Sequence, residues 1–242
     1  MVIDAIECAV ADCLEGQSRG LVTAPINKAA VQKIGFEFPG HTEFLAHLCA
    51  SEREVPTAIM MLAHESLRVV PLTIHVALAK VPKLIKQAMI VEHVQIIERD
   101  LKNRFGIQAP RIAVTGLNPH AGEEGAFGLE DIEEIIPAIR ILQQQGIEAH
   151  GPFPADTAFH LPNWHSFDVV VAMYHDQALI PIKTVAFDEA VNVTLGLPIV
   201  RTSPDHGTAY DLAGSGKVST KSMLAAIRLA DKMSVSTAGQ KK

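Results

Sequence analysis

The sequence lacks a concentrated basic segment, a membrane-length apolar run and paired cysteines. Beyond Lys241 and Lys242 it has no basic cluster, and its formal net charge is −6, which argues against nucleic acid as a partner. No apolar run approaches the roughly 20 residues that span a bilayer, so no membrane partner is expected, and acids close to the first residue predict no secretion signal. The three cysteines include no CxxC pair, which predicts free thiols in a reducing cytoplasm.

Internal repeats and low-complexity linkers are also absent, and what remains is an alternation of apolar runs and amphipathic segments. With 242 residues and 48% hydrophobic content, the chain can bury a large core as one or two domains. Alternating strands and helices predict a three-layer α/β/α fold. The predicted strands span residues 20–24, 57–63, 67–75, 111–117, 169–173, 185–187, 191–195 and 199–202. The predicted helices span residues 2–16, 27–35, 82–105, 130–145 and 219–233, with a further helix capped by Thr42. The glycine- and proline-rich stretch 151–157 is predicted to be a loop.

The clearest strand carries the first candidate site. The apolar, β-branched run 169–173 is typical of a strand that is buried on both faces. It stops at residues 174–177, which read YHDQ. Ligands bind beyond the carboxyl ends of the strands in open α/β sheets, so this polar turn is a candidate site. The alternative is a histidine in an ordinary strand-to-helix loop.

Two other predicted strands end in the same way, so that His75, His120 and His175 follow strands at equivalent positions. Three imidazoles are a common ligand set for a divalent metal ion, with positions left open for water or substrate. Their wide separation is not a short-range ligand signature, and a single strand-end histidine is more often structural. Asp156 and Asp176 are candidate carboxylates for orienting a histidine or accepting a proton, although each could instead cap a helix.

A second group of candidates suits an anion. Lys183, Asn192 and Arg201 lie near the ends of the later short strands, and together they would bind a phosphate or a carboxylate. Taken singly, Lys183 and Arg201 could be surface cations. If Thr42 caps a helix, His41 lies beside exposed backbone N–H groups, which favour anions. The alternative for His41 is packing in a turn.

Five longer motifs, spread in order across the chain, resemble the 4-hydroxythreonine-4-phosphate dehydrogenase family. They read GHTEF at 40–44, GLNPHAGE at 116–123, MYHDQ at 173–177, VNVTLGLP at 191–198 and RTSPDHGTA at 201–209. The resemblance implies a fold similar to isocitrate and isopropylmalate dehydrogenases, in which two subdomains share a sheet. The implied cofactor-side subdomain comprises residues 1–36 and 195–242, and the implied metal- and dimer-side subdomain comprises residues 37–194.

The resemblance also implies the site residues. It assigns metal binding to His75, His120 and His175, substrate binding to His41, Thr42, Lys183, Asn192 and Arg201, and NAD or NADP binding to His206, Gly207, Thr208, Ala209 and Asp211. The cofactor residues belong to the loop DHGTAYDLAG at 205–214, which takes the place of a GxGxxG fingerprint that does not occur here. The resemblance further implies one divalent ion (zinc, magnesium or cobalt) per active site, in a homodimer whose sites take metal ligands from both chains.

From the resemblance we expect NAD-dependent oxidation and decarboxylation of a small phosphorylated hydroxy amino acid, 4-phosphooxy-L-threonine, to 3-amino-2-oxopropyl phosphate. This is a step of pyridoxal 5′-phosphate biosynthesis in the cytoplasm. Family members normally begin with a further segment that includes a strand and a glycine-rich loop, so part of the first subdomain is expected to be lacking. Two alternatives stay open. One is a dehydrogenase of another phosphorylated hydroxy acid, such as phospho-threonate or phospho-erythronate, and the other is a non-catalytic metal- or phosphate-binding remnant.

Overall fold

The structure is a computed structural model that describes residues 1–27, 30, 31, 33, 35–38, 40–52, 54–161 and 163–239. Within these residues the α helices are α1 (Val2–Leu14), α2 (His41–Leu48), α3 (Val81–Leu84), α4 (Gln87–Phe105), α5 (Ile136–Gln144), α6 (Ala155–Ala158), α7 (His175–Ala186) and α8 (Lys221–Gly239). The strands are β1 (Leu21–Val22), β2 (Ile59–Ala63), β3 (Arg68–Thr73), β4 (Ile112–Thr115), β5 (Ala149–Phe153), β6 (Val169–Tyr174), β7 (Val191–Leu195) and β8 (Arg201–Pro204). Shorter helical turns lie at Leu78–Lys80, Pro119–Gly125, Asp131–Ile135, Asn163–Ser166 and Tyr210–Leu212. None of the described helices is long and apolar enough to cross a membrane.

The chain divides into two compact units. Residues 1–60 and 188–242 form the first unit, and residues 61–187 form the second. These boundaries differ from those of the subdomains implied by the resemblance, which change at 36/37 and 194/195. The implied subdomains are defined by cofactor and metal binding, and that division of roles stays a prediction.

The second unit contains five neighbouring strands in the order β2-β3-β6-β4-β5, with β2 counted from Met61 on. β3, β6, β4 and β5 are parallel, and β2 pairs antiparallel with β3. All of β4 and all of β6 except Tyr174 are buried, as expected for apolar strands that are covered on both faces. Helix α7 contacts β3 and β6, and α5 contacts α4 and β5. The prediction of an α/β fold is confirmed.

An ion pair fixes the amino end of β6. The Asp168 carboxylate accepts hydrogen bonds from the Arg111 backbone N–H at 2.8 Å and from Arg111 Nε and Nη2 at 3.1 and 3.3 Å. Burial by itself would raise the pKa of Asp168, but the hydrogen bonds and the charges of Arg111 and Arg68 outweigh it and hold that pKa below its usual value. This pair therefore stabilises the end of the strand that lies away from His175.

The first unit contains three neighbouring strands in the order β1-β8-β7, in which β8 is parallel to β1 and antiparallel to β7. Helix α8 contacts all three strands, and Thr202 Oγ1 donates a hydrogen bond to the carbonyl of Ala226 on that helix at 2.9 Å. The core of this unit includes Ile6, Val10, Leu21, Phe44, Leu45 and Leu197. Helix α1 thus buries one apolar stripe, as its sequence period predicted.

The helix predicted over residues 82–105 is two helices. Ile85, with ψ 111°, and Lys86, with φ −131° and ψ 140°, are extended and separate α3 from α4. At this break the Glu134 carboxylate accepts hydrogen bonds from Lys86 Nζ at 2.6 Å and from the Gln87 N–H at 2.7 Å. This side chain satisfies an amide that the start of α4 would otherwise leave without a partner.

The predictions for residues 151–157 and 185–187 are wrong. Residues 151–153 belong to β5, which lies at the end of the strand order, where Gly151 and Pro152 are tolerated because only one side of the strand is paired. Residues 185 and 186 continue α7, because α7 buries residues 178, 182 and 186 at helical spacing. Lys183 therefore lies on a helix, not near the end of a strand.

Thr42 is not a cap, since α2 begins at His41 after an extended Gly40.

Candidate active site

Four parallel strands of the second unit end at the same edge, and a predicted site residue follows each of them. His75 lies two residues after β3, His175 is the first residue of α7 directly after β6, His120 lies in the turn after β4, and Asp156 lies on α6 after β5. The carboxyl ends of neighbouring parallel strands lie on one side of a sheet, where α/β proteins bind their ligands. The segments that follow these four strands are called the histidine edge below.

His75 and His175 are brought together, with their ring centroids 5.7 Å apart. Their strands are neighbours, and Thr73 pairs with Tyr174 in the register of β3 and β6. His175 Nδ1 lies 2.7 Å from Asp176 Oδ1. Because a carboxylate accepts, the proton of this contact belongs on Nδ1, which leaves Nε2 as the ring nitrogen that Asp176 does not engage. A neutral imidazole that a carboxylate orients in this way is the form that binds metal ions, so the arrangement fits a divalent cation.

His120 lies on a turn with a left-handed backbone. Its φ is 53°, and residues 121–124 also have positive φ, between 41° and 80°. A non-glycine residue in this conformation costs about 1–2 kcal/mol, so a run of them persists only where surrounding contacts hold it. The His120 side chain is exposed, and its ring centroid lies 6.2 Å from that of Phe127.

Within one chain, no three His, Cys, Asp or Glu side chains of the described residues are placed to hold one metal ion. The three-histidine centre therefore stays a prediction, and the resemblance implies that two chains supply its ligands.

Asp156 is exposed, and its Oδ1 accepts a hydrogen bond from the Thr157 N–H at 2.9 Å. The alternative role of Asp156 was that of a helix cap, and the residue lies in the first turn of α6, whose N-cap is Pro154.

Gln177 joins the strand ends beneath the histidine edge. Its Oε1 accepts hydrogen bonds from the Met173 N–H at 2.7 Å and from Thr115 Oγ1 at 2.8 Å, and its Nε2 donates to the Gly116 carbonyl at 2.9 Å. Thr73 Oγ1 donates to the Met173 carbonyl at 2.8 Å, which adds the end of β3. In the sequence Gln177 is only one of four consecutive polar residues, and its partners follow from the adjacency of β4 and β6.

Asp131 is a second residue that sequence reasoning missed, and it is fully buried. Its carboxylate accepts hydrogen bonds from the Leu117 N–H at 3.0 Å, the Asn118 N–H at 3.3 Å and Asn118 Nδ2 at 3.1 Å. A Cβ on Gly116 would lie 2.6 Å from Asp131 Oδ1, and a Cβ on Gly122 would lie 3.1 Å from Oδ2. In the sequence Asp131 is one of several acids at a helix start. The available signal was the pair of glycines that flank the segment LNPHA.

In the first unit, Arg201 is a buried cation that is only 4% exposed. Its Nη1 donates to Thr194 Oγ1 at 2.9 Å and its Nη2 donates to Thr23 Oγ1 at 2.7 Å. Its Nε has no acceptor among the described residues. Burial lowers the pKa of Arg201 to about 10. A buried guanidinium whose acceptors are neutral hydroxyls is suited to binding an anion.

The other predicted substrate residues lie in both units. Asn192 lies on β7, next to the strand of Arg201, and is partly exposed. His41 and Thr42 are the first two residues of α2, and both are partly buried. Lys183 lies on α7 in the second unit. The convergence of these five side chains on one substrate stays a prediction.

The predicted cofactor loop follows β8 in the first unit, and residues 206–214 are exposed. His206 Nδ1 lies 2.8 Å from the Gly207 carbonyl. Ala209 has a left-handed backbone, with φ 45°, and precedes the Tyr210–Leu212 turn. An exposed loop at the end of a buried strand is suited to binding a ligand, and its role as a dinucleotide contact stays a prediction.

Comparisons with known proteins cover most of the chain. A protein-family model described as pyridoxal phosphate biosynthetic protein PdxA matches residues 1–230. A curated 4-hydroxythreonine-4-phosphate dehydrogenase from Bradyrhizobium diazoefficiens is 55% identical over 229 residues, which are 95% of this chain and 66% of that protein. Another, from Methylorubrum populi, is 52% identical over 233 residues, which are 96% of this chain and 67% of that protein.

Solved structures agree with the sequence comparison. The crystal structure of a 4-hydroxythreonine-4-phosphate dehydrogenase from Klebsiella pneumoniae matches with a TM-score of 0.86 and 42% sequence identity, covering 96% of this chain and 70% of that one. The chain thus spans about two thirds of the length of the curated relatives it matches.

Proposed function

The chain belongs to the PdxA family of pyridoxal phosphate biosynthetic proteins, as its motifs predicted, and from that membership we propose that it oxidises 4-phosphooxy-L-threonine with NAD. Oxidation of this secondary alcohol yields a β-keto acid, which loses carbon dioxide to give 3-amino-2-oxopropyl phosphate. The observation that carries the proposal is the placement of His75 beside a carboxylate-oriented His175. The name of the relatives supports this substrate over phospho-threonate or phospho-erythronate.

His75, His120 and His175 are the residues that would hold the divalent ion. An all-imidazole ligand set suits zinc or cobalt better than magnesium, which prefers carboxylate and water oxygens. When bound, the ion supplies Lewis-acid polarisation of the hydroxyl that is oxidised. The contribution of the chain itself is to present the imidazoles at one edge and to keep the His175 ring oriented through Asp176.

The two candidate carboxylates receive different roles. Asp176 Oδ1 is engaged by His175, so Asp176 orients that ring. Asp156 lies at the same edge, is exposed and uses its Oδ1 to accept the Thr157 N–H. Its other oxygen is the proposed acceptor of the proton from the substrate hydroxyl.

Arg201 is the proposed phosphate ligand in the first unit. Its guanidinium is buried, and Thr23 and Thr194 hold it without neutralising its charge. An incoming phosphate would supply the missing negative charge in a site of low dielectric constant, where a charge-assisted bond is strong. Asn192 on the next strand is the proposed amide partner. Remote binding energy of this kind positions the reacting carbon.

NAD is the proposed hydride acceptor, bound on its adenosine side by the exposed loop that contains His206, Gly207, Thr208, Ala209 and Asp211. Support for this comes from the dehydrogenase name of the relatives and from the accessibility of the loop. A loop of this type contacts the nucleotide through backbone groups and short side chains.

A homodimer is the proposed assembly. Large apolar side chains follow the strands of the histidine edge and are exposed, namely Val76 at 41%, Phe127 at 50%, Leu129 at 52% and Ile180 at 63%. Apolar side chains of this size are usually covered by a partner when they lie together on a surface. A second chain that covered them would also bring its own histidines to this edge. Sedimentation of the 242-residue chain tests the assembly, and a strictly monomeric species at micromolar concentration would contradict it.

The activity is tested by NADH absorbance with 4-phosphooxy-L-threonine in the presence of added Zn²⁺, Co²⁺ or Mg²⁺. Phospho-threonate and phospho-erythronate serve as control substrates. The proposal predicts NADH formation with 4-phosphooxy-L-threonine that EDTA abolishes and that Zn²⁺ or Co²⁺ restores. Turnover of only a control substrate would shift the assignment to that acid, and metal binding without turnover of any substrate would favour a non-catalytic remnant.

A further inference from the structure

Gln177 and Asp131 form hydrogen bonds with the backbone of the three residues that follow β4, namely Gly116, Leu117 and Asn118. We propose that both are positioning residues, which fix the turn that carries His120 relative to the helix start that carries His175. The inference rests on the proposed function, in which these histidines bind the metal ion. It assigns the geometry of that site to two side chains that donate no metal ligand themselves.

Gln177 is the link between the two histidine-bearing segments. It lies two residues after His175, in the first turn of α7, and its amide reaches both Met173 on β6 and Gly116 at the end of β4. A shift of Gly116 along the strand direction would therefore break a hydrogen bond to the same helical turn that carries His175. Thr115 Oγ1 donates to the second lone pair of Gln177 Oε1, so this oxygen is fully used.

Asp131 fixes the next residues of the turn, toward His120. Gln177 donates to the carbonyl of Gly116, and the next two backbone N–H groups, of Leu117 and Asn118, donate to the Asp131 carboxylate. These hydrogen bonds end at Asn118, two residues before His120, and the run of left-handed residues begins at His120. The turn is thus anchored at its start by two buried or half-buried side chains, while its tip and the His120 ring are exposed.

The donor and acceptor pattern makes both residues hard to replace. Asp131 faces three N–H donors, so Asp131→Asn would place an NH₂ group where only an acceptor is suited. Gln177 uses its amide as acceptor on one side and donor on the other. Gln177→Met keeps the length of the side chain and removes all three bonds. Both variants should loosen the turn without removing any proposed metal ligand.

The test compares Asp131→Asn and Gln177→Met with two matched controls in the full 242-residue chain. Asp168→Asn removes a carboxylate that accepts a backbone N–H at the opposite end of β6. Gln143→Met removes an amide that donates to the Ala149 carbonyl. Cobalt(II) affinity is measured by its visible absorption, and hydrogen exchange of the Leu117 and Asn118 amides is measured in the metal-free protein.

Loss of an orienting partner behind a metal ligand typically weakens metal binding about 10–100-fold, and this loss is expected for Asp131→Asn and Gln177→Met. Faster exchange at residues 117 and 118 is expected in Asp131→Asn. The two controls should keep the wild-type cobalt affinity even where their midpoint of thermal unfolding falls. Where Asp131→Asn fails to fold, Thr115→Val removes a single bond to Gln177 and should weaken cobalt binding less, with Thr115→Ser restoring it.

Two outcomes separate this inference from the proposed function. If His120→Ala loses cobalt binding while Asp131→Asn, Gln177→Met and Thr115→Val keep it, the positioning role is wrong and the metal assignment stands. If His120→Ala binds cobalt as the wild type does, or the wild type binds none, the metal assignment is wrong and the inference falls with it. A lower unfolding midpoint with unchanged cobalt affinity would also overturn the positioning role.

Discussion

The two ligand sites proposed for this chain, the histidine edge and Arg201, differ in where the functional side chain is buried. At the histidine edge His75 and His120 are exposed and His175 is half-buried, whereas Asp131, which supports the turn of His120, is buried. In the first unit the functional side chain, Arg201, is itself buried and is held by two hydroxyls. Among the described residues no carboxylate pairs with this guanidinium, so it carries a desolvation cost that a bound anion relieves. Mutation should therefore remove function from the edge at little cost in stability, whereas at Arg201 function and stability should oppose each other.

The largest effect is expected at the histidine edge. His175→Ala should lower turnover by about a thousandfold or more, because loss of a single preorganised electrostatic group already costs about 10²–10³. His150→Ala is the matched control, since His150 is an exposed histidine on β5 whose ring lies 6.3 Å from that of Phe167. Steady-state kinetics and cobalt binding measure both variants. Equal turnover in the two variants would remove His175 from the site.

Arg201→Met tests the buried cation of the first unit, where function and stability are expected to oppose each other. Loss of a hydrogen bond to a charged group costs about 1.5–3 kcal/mol, so the KM for the phosphorylated substrate should rise about 10–100-fold, with a smaller change in kcat. The free energy of unfolding without phosphate should instead rise by about 1 kcal/mol, because an uncompensated buried charge is gone. Inorganic phosphate should stabilise the wild type and not this variant.

Arg104→Met is the control for Arg201→Met. Arg104 is also buried, but its Nε lies 3.8 Å from the carboxylate of Asp100. Removing it leaves a buried carboxylate with one cation fewer, so stability should fall by about 1–3 kcal/mol, with no change in KM. A loss of stability in Arg201→Met equal to that in Arg104→Met would contradict the view that the charge of Arg201 is uncompensated.

Gly116→Ala tests the packing behind the histidine edge. The added Cβ would lie 2.6 Å from both the Ala121 Cα and Asp131 Oδ1, so the turn must shift, at about 1–3 kcal/mol. Gly207→Ala is the control, because its Cβ would meet no atom within 4 Å. Urea unfolding of both variants gives the difference. A neutral Gly116→Ala would mean that the turn moves freely.

The smallest effect is expected at Asp168, at the end of β6 that lies away from His175. Arg111 and Arg68 hold the pKa of Asp168 below its usual value. A carboxylate with a lowered folded-state pKa contributes stability above the pKa of the unfolded chain and loses it as the pH falls through the folded-state value. Asp168→Asn should therefore cost under about 1 kcal/mol at neutral pH, and the two proteins should converge under acid conditions. A constant difference across this pH range would contradict the assignment.

The fold was largely predictable, because uninterrupted apolar runs in the sequence indicate its strands. The run 169–173 became β6, and α1 followed its amphipathic period. Errors arose where tertiary contacts outweigh local preference. Glu134 forms its hydrogen bonds at the break between α3 and α4, and α7, which packs on β3 and β6, includes residues 185 and 186 of the predicted strand 185–187.

The exposed members of the candidate site were also predictable, since polar residues after a buried strand stand out. His75 and His175 lie together as expected. The supporting residues could not be found in this way, because Asp131 looks like any acid at a helix start. Its partners at residues 117 and 118 become visible only once β4 and the following turn have three-dimensional positions.

Three histidines that are distant in sequence are proposed to bind one divalent ion. The most direct test is the X-ray absorption spectrum of the zinc-loaded protein, compared with that of His75→Ala, His120→Ala and His175→Ala. The account predicts a coordination shell with three imidazole nitrogens in the wild type and one fewer in each variant that still binds zinc. A shell dominated by sulfur, or a wild-type spectrum retained by all three variants, would contradict it.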